Sequence, residues 1–291
     1  MIDLMRSKLF VPASRPEFFP KALASQADAI CWDLEDSVVP ARREEARQHL
    51  RQLFSELQTN KVAMVRVNPV ASSDFAKDLR AAVSPALAVL ALPKVSTPDE
   101  VREAAWDLSA LEKECDLKEP IAILPTIETP RGLRLAREIA ESSPRIAGLQ
   151  LGLADLFGSV GVRSDDAGAA QQVRFRMRLA AAEAGVPCFD SAFADFRNAD
   201  GFVSEAVAAS DMGFSGKSCI HPDQIAAANR IFSPGEEEVA AARRIVEAIG
   251  ESGYSEAGAL ALDGRMVDAA GLKRAEQVIH LANRIRTHQQ G

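Results

Sequence analysis

Two carboxylates, Glu128 and Asp155, each stand just past a short apolar run, in AILPTIE and LQLGLAD. If the two runs are neighbouring strands, both acids reach one point. Two carboxylates at one point repel, and one takes up a proton unless a cation lies between them. Magnesium suits such a pair, because it accepts one or two carboxylates and fills its shell with water and substrate oxygens. The same residues also fit a purely structural role. Glu128 precedes Thr129-Pro130, a helix start, and Asp155 can cap another helix. Spacing alone leaves both readings open.

Further reactive side chains follow other apolar runs: Glu35 and Asp36, Arg66 and Asn68, Lys94 and Asp190. Arg66 fits a carboxylate or a developing oxyanion, and equally a structural ion pair. Glu35 and Asp36 can position metal-bound water or anchor Arg66. Lys94 can form a Schiff base in principle; a metal mechanism needs none, so an ion pair is the reading for it. His221 precedes a helix-starting proline and reads as structural. Arg15 and Lys21, after the first run, can meet the phosphates of a nucleotide or face solvent at a helix start.

The elements that must position these groups alternate. Eight apolar runs, 8–12, 29–33, 62–68, 87–93, 121–126, 148–153, 187–190 and 212–215, predict strands. Consecutive apolar positions suit parallel strands covered on both faces. Amphipathic segments over 42–57, 72–83, 98–114, 131–141 and 166–184 predict helices between them. Eight such repeats predict a (β/α)8 TIM barrel, whose reactive groups gather at the C-terminal ends of the strands. A doubly wound sheet is the competing architecture, and no GxGxxG follows the first strand to support it. The barrel is expected over 1–250. A small appendage follows over 251–291: an Asp263-Gly264 hairpin turn, then a helix over 272–286.

The chain has 291 residues and a formal charge of −7, which argues against nucleic acid or a membrane surface as partner. Its four cysteines form no CxxC pair. With no apolar h-region at the N-terminus and no run near the ~20 residues of a membrane span, a cytoplasmic protein with reduced thiols is expected.

Taken together, RSKLFVP (6–12), DLEDSV (33–38), VRVNP (65–69), LPKV (92–95), PTIETPRG (125–132), GLADLFG (152–158), GFSGKSCIHP (213–222) and DGRMVD (263–268) resemble the citrate lyase beta-subunit-like branch of the HpcH/HpaI aldolase family. The resemblance implies a TIM barrel with a C-terminal lid, in homotrimers or hexamers. It implies Mg2+ on Glu128 and Asp155, substrate bound by Arg66 and by the backbone of Gly152, Leu153, Ala154 and Asp155, and an acidic pair at Glu35 and Asp36. It also implies that Asp268 on a neighbouring subunit's lid completes the site; by itself, Asp268 reads as a helix N-cap. Arg15 and Lys21 are expected to meet coenzyme A. Two positions depart from the pattern: Ala13 and Ala270 stand where the family usually has glycine and proline.

The implied reaction breaks a carbon–carbon bond in a 3-hydroxyacyl-CoA thioester such as citramalyl-CoA or malyl-CoA. The products are a 2-oxo acid (glyoxylate, pyruvate or oxaloacetate) and acetyl-CoA. Three alternatives stand beside it: a citrate lyase beta subunit acting on an acyl-carrier-protein thioester, a class II pyruvate aldolase, and a catalytically silent scaffold.

Overall fold

The computed structural model describes residues 4–252, 260–262 and 265–290. Eight strands carry the first unit: β1 Ser7–Pro12, β2 Ala29–Asp33, β3 Val62–Arg66, β4 Val89–Leu92, β5 Ala122–Ile127, β6 Leu149–Leu151, β7 Cys188–Phe189 and β8 Lys217–Cys219. All neighbours pair in parallel, in the order β7-β6-β5-β4-β3-β2-β1-β8. A parallel bridge between Asp190 and Lys217 joins β7 to β8, and the sheet closes into the expected barrel.

The helices follow from the patterning. They are α1 Phe19–Leu23, α2 Arg43–Glu56, α3 Phe75–Ala82, α4 Pro98–Glu114, α5 Pro130–Arg134, α6 Ala136–Ala140, α7 Leu153–Val160, α8 Ala167–Glu183, α9 Ala199–Asp211 and α10 Asp223–Ile231. Helix α4 starts on a capping box, in which Thr97 and Glu100 satisfy each other's backbone N–H groups. The segment expected as one helix over 131–141 is two, broken at Leu135.

The eighth strand differs from expectation. MGFS (212–215) is a turn, in which Gly213 adopts φ 83°, and the strand is the more polar KSC that follows. Lys217 is fully buried there, its Nζ 2.6 Å from Asp190 Oδ2 and 3.1 Å from Glu205 Oε2. Arg174 also reaches Asp190, with Nε 2.8 Å from Oδ1. Asp190, expected at the mouth, therefore sits in a buried ion cluster that seams β7 to β8. Burial alone would raise its carboxyl, but Lys217 and Arg174 hold it below the usual carboxylate range.

Apolar residues fill two regions. One lies between the strands and the helices and includes Trp32, Leu50, Leu90 and Phe202. The other includes Met5, Ala29, Cys31, Met64, Ala91, Leu124 and Phe189. Lys8 Nζ lies against the latter, 4.1 Å from the centre of the Phe189 ring. Cys31, Cys188 and Cys219 are buried, and burial pushes each thiol up to about 12.

Contacts divide the chain between Phe232 and Ser233. The second unit contains α11 Glu236–Ser252, β9 Leu260–Leu262, β10 Arg265–Val267 and α12 Ala269–Gln290. Helices α11 and α12 pack together, and β9 pairs antiparallel with β10. The hairpin is thus present, although its expected Asp263-Gly264 turn lies outside the described residues. Among the described residues, no helix is long and apolar enough to cross a membrane.

Candidate active site

A cavity of about 340 Å3 opens beside the C-terminal ends of the barrel strands. Its wall includes Phe10, Asp36, Arg66, Glu128, Gly152 and Asp155. Of the side chains singled out in the sequence, Asp36, Arg66, Glu128 and Asp155 therefore share one space, whereas Glu35, Asn68, Lys94, Asp190 and His221 do not line it.

Glu128 follows β5 and is 5 % exposed. Its Oε1 accepts a hydrogen bond from the Lys94 backbone N–H at 2.7 Å. Lys94 presents that N–H from a left-handed backbone, φ 55°, which a non-glycine residue adopts at a cost. Gly152, after β6, leaves room for the carboxylate: a Cβ there would collide with Glu128 Oε2. Burial pushes Glu128 up to about 8, and the charges of Asp155 and Glu35 add to the rise. Such an acid is neutral at pH 7 unless a cation joins it. Asp155 stands exposed in the first turn of α7, on the same wall. One buried and one exposed hard oxygen donor, with water access, fit a partly hydrated magnesium ion. Glu128 does not cap α5, since the cap is Thr129, whose side chain accepts from the Gly132 N–H.

Arg66 ends β3. Its Nε and Nη2 lie 2.6 and 2.7 Å from the two Asp33 oxygens, a bidentate pair. Its Nη1 is 3.3 Å from Glu35 and 3.4 Å from Asp36. The guanidinium carbon lies 5.2 Å from the Phe10 ring centre, over the ring. Burial would lower Arg66, but Asp33 outweighs it and raises the group above its ordinary range. Asp33 is the main anchor, a role the sequence offered as one of two for Glu35 and Asp36, which contact Arg66 only at longer range. Phe10, Gln150 and Ser191 were likewise missed. Asp33 is the last residue of β2 and pairs in register with Arg66, a partnership that only the strand pairing reveals.

Glu35 is buried and rises to about 6, chiefly through burial. Lys94 Nζ bonds Glu35 at 2.6 Å and Asp36 at 3.1 Å, the ion pair expected of it. Burial opposes the charge of Lys94, yet these two acids raise it above the usual lysine range, so it is no nucleophile at neutral pH. Asn68 bonds Asp78 and the Leu34 carbonyl and is buried structure. Arg15 is half exposed, pairs with Glu17 and lies over Phe18; Lys21 is exposed in α1. Neither lines the cavity. Asp268 belongs to the second unit, where its Oδ1 accepts the Gly271 N–H at 2.9 Å and caps α12. His221 stacks on Phe196, with ring centres 5.0 Å apart.

The chain was compared with known proteins. Residues 6–222 match the family model HpcH/HpaI aldolase/citrate lyase. Citrate lyase subunit beta of Escherichia coli is 35 % identical over 285 residues, covering 95 % of this chain and 93 % of the relative. An L-malyl-CoA/beta-methylmalyl-CoA lyase of Cereibacter sphaeroides is 32 % identical, with 96 % and 95 % covered. The crystal structure of protein CitE from Mycobacterium tuberculosis in complex with magnesium, acetoacetate and coenzyme A superimposes with a TM-score of 0.79 at 33 % identity, covering 97 % of this chain and all of that one. On its matched length, its identities and its barrel, the chain belongs to the HpcH/HpaI aldolase/citrate lyase family.

Proposed function

We propose that the chain is a magnesium-dependent carbon–carbon lyase acting on a thioester that yields a 2-oxo acid, with a citryl thioester as its substrate. The observation that carries the reading is the buried Glu128 carboxylate beside Gly152, facing the same cavity as Asp155 and the anchored Arg66. The citrate lyase beta-type reading is preferred to the malyl- and citramalyl-CoA readings, because the Escherichia coli citrate lyase subunit is 35 % identical against 32 % for the malyl-CoA lyase. The malyl-CoA reading is second and rests on that relative. A class II aldolase, which relies on a histidine beside its metal, is disfavoured: no histidine is among the cavity's described lining residues.

Glu128 and Asp155 would hold the magnesium, as the donor set and the glycine cradle favour. When bound, the ion supplies Lewis-acid charge against the substrate's carboxylate and hydroxyl oxygens. The backbone N–H groups of Leu153, Ala154 and Asp155 open α7 after Gly152, whose own N–H donates to the Ile127 carbonyl at 3.1 Å, and a helix N-terminus favours the carboxylate of the oxo acid. Arg66 stabilises charge on oxygen as the hydroxyl proton leaves and the C–O bond becomes a carbonyl. The bond between the carbinol carbon and the neighbouring CH2 breaks, and its electron pair passes to the thioester as an enolate. Asp268 of a neighbouring copy's lid would protonate the enolate carbon, giving the acetyl thioester. Glu35 and Asp36 hold Lys94 and Arg66 in place, and water near Glu35 is assigned the hydroxyl proton. Arg15 and Lys21 are assigned to the phosphates of coenzyme A, and the assembly to a homotrimer or hexamer.

Purified full-length protein, assayed with magnesium and with EDTA against citryl-, citramalyl- and malyl-CoA and a citryl acyl-carrier protein, tests the reading. Citryl thioester should be cleaved fastest, and only with the metal. A chain that cleaves none of them is a scaffold, and the proposal fails.

A further inference from the structure

The wall of the cavity formed by β6, β7 and β8 places three uncharged polar side chains, Gln150, Ser191 and Ser218, among the apolar Leu151, Ala192 and Ile220. Gln150 is 5 % exposed and Ser191 3 %. The Gln150 amide is fixed, because its Nε2 donates to the carbonyls of Leu151 and Asp190 at 2.9 Å each. A flipped amide would set its oxygen against those carbonyls, so Oε1 is the atom left over. That Oε1 is buried with no hydrogen-bond partner, and so is Ser191 Oγ. A buried, unpaired acceptor and an unpaired hydroxyl are costly, and native proteins keep few of them. Both belong to residues that line the proposed substrate cavity. The backbone beneath Ser191 is held by the Asp190 cluster with Lys217 and Arg174, so the wall is rigid.

We infer that Gln150 and Ser191 form a specificity subsite that selects a hydrogen-bonding substituent on the carbinol carbon and rejects hydrogen or methyl. The inference rests on the lyase reading above. The Ser191 hydroxyl donates to the substituent. Gln150 Oε1 accepts from a hydroxyl, or from water that accompanies a carboxylate. A methyl group would leave both atoms dry and unpaired, and sites built to hydrogen-bond discriminate strongly against such analogues. Two sources share this chemistry: a carboxymethyl group, as in a citryl thioester, and a hydroxymethyl group.

Calorimetric titration of the full chain with magnesium and oxaloacetate, hydroxypyruvate or pyruvate separates them. The wild-type protein should bind one polar oxo acid roughly tenfold or more tighter than pyruvate. Ser191→Ala should reduce that ratio by a similar factor, and its hydroxyl holds nothing in the fold. Gln150→Met serves as the second variant, judged by the same ratio so that a general loss of stability cancels. Equal affinity for pyruvate, binding of none of the three, or an unchanged ratio in Ser191→Ala overturns the subsite. Preference for hydroxypyruvate keeps the subsite and removes the citryl substrate. A retained polar preference without thioester cleavage keeps the subsite and removes the lyase reading.

Discussion

Glu128 illustrates how one buried acid joins folding to chemistry. Its carboxyl, at about 8 without a cation, is protonated at pH 7, whereas in the unfolded chain it is ionised above about 4.5. The folded state therefore binds the extra proton, and the metal-free protein loses stability as pH rises from roughly 4.5 to 8. If Glu128 holds magnesium as proposed, the ion displaces that proton, and its affinity should rise with pH over 6–8 with release of about one proton per ion. Isothermal titration in buffers of differing ionisation enthalpy reads the proton directly. Glu128→Ala should lower magnesium-dependent turnover ~10²-fold or more; near-normal turnover would remove it from the metal site. Gly152→Ala should act similarly, because its methyl group meets the Glu128 carboxylate.

At the scale of elements, the sequence was legible where apolar pattern and position agreed. Strands β1 to β7 and helix α4 lie on their expected runs, since buried parallel strands are continuously apolar there. Strand β8 was not legible, because its lysine is buried through Asp190 and Glu205, partners distant in sequence. Asp33 hid for a related reason: its bond to Arg66 depends on β2–β3 register, which composition does not reveal. Gln150 and Ser191 gave no sequence signal at all, since their meaning lies in atoms left unpaired. Lys8 is another such case within β1. It is fully buried without a hydrogen-bond partner, and burial lowers it to about 7. The unfolded chain therefore holds more protons between pH 7 and about 10.5, and stability gains with rising pH across that window. Lys8→Met should stabilise the protein at pH 7, by about 1–3 kcal/mol, and flatten this dependence. Denaturant melts at pH 7 and 10 test both; a less stable variant would show that the amine is needed.

On the scale of the whole molecule, the proposed reaction divides between copies. Glu128 and Arg66 lie in the barrel unit and Asp268 in the second. If a neighbour supplies Asp268, then Glu128→Ala and Asp268→Asn proteins, each weak alone, should regain activity when unfolded and reassembled together. A mixture that stays as weak as its parts would return Asp268 to its helix-capping role. This division comes from the resemblance alone; the hairpin-helix pattern gives no hint of it.

The barrel's own ends meet. Ser7 Oγ lies 2.7 Å from Asn229 Oδ1 in α10, and β1 pairs with β8. The ring therefore has no privileged starting point: its first and last strands are as much neighbours as any others. A short linker could fuse Phe232 to the beginning of the barrel, with new termini opened in the exposed stretch after Asp195. Such a circular permutant should regain the far-UV spectrum of the barrel. It would also make the second unit a detachable module, whose contribution to turnover could be added back in trans and measured by itself.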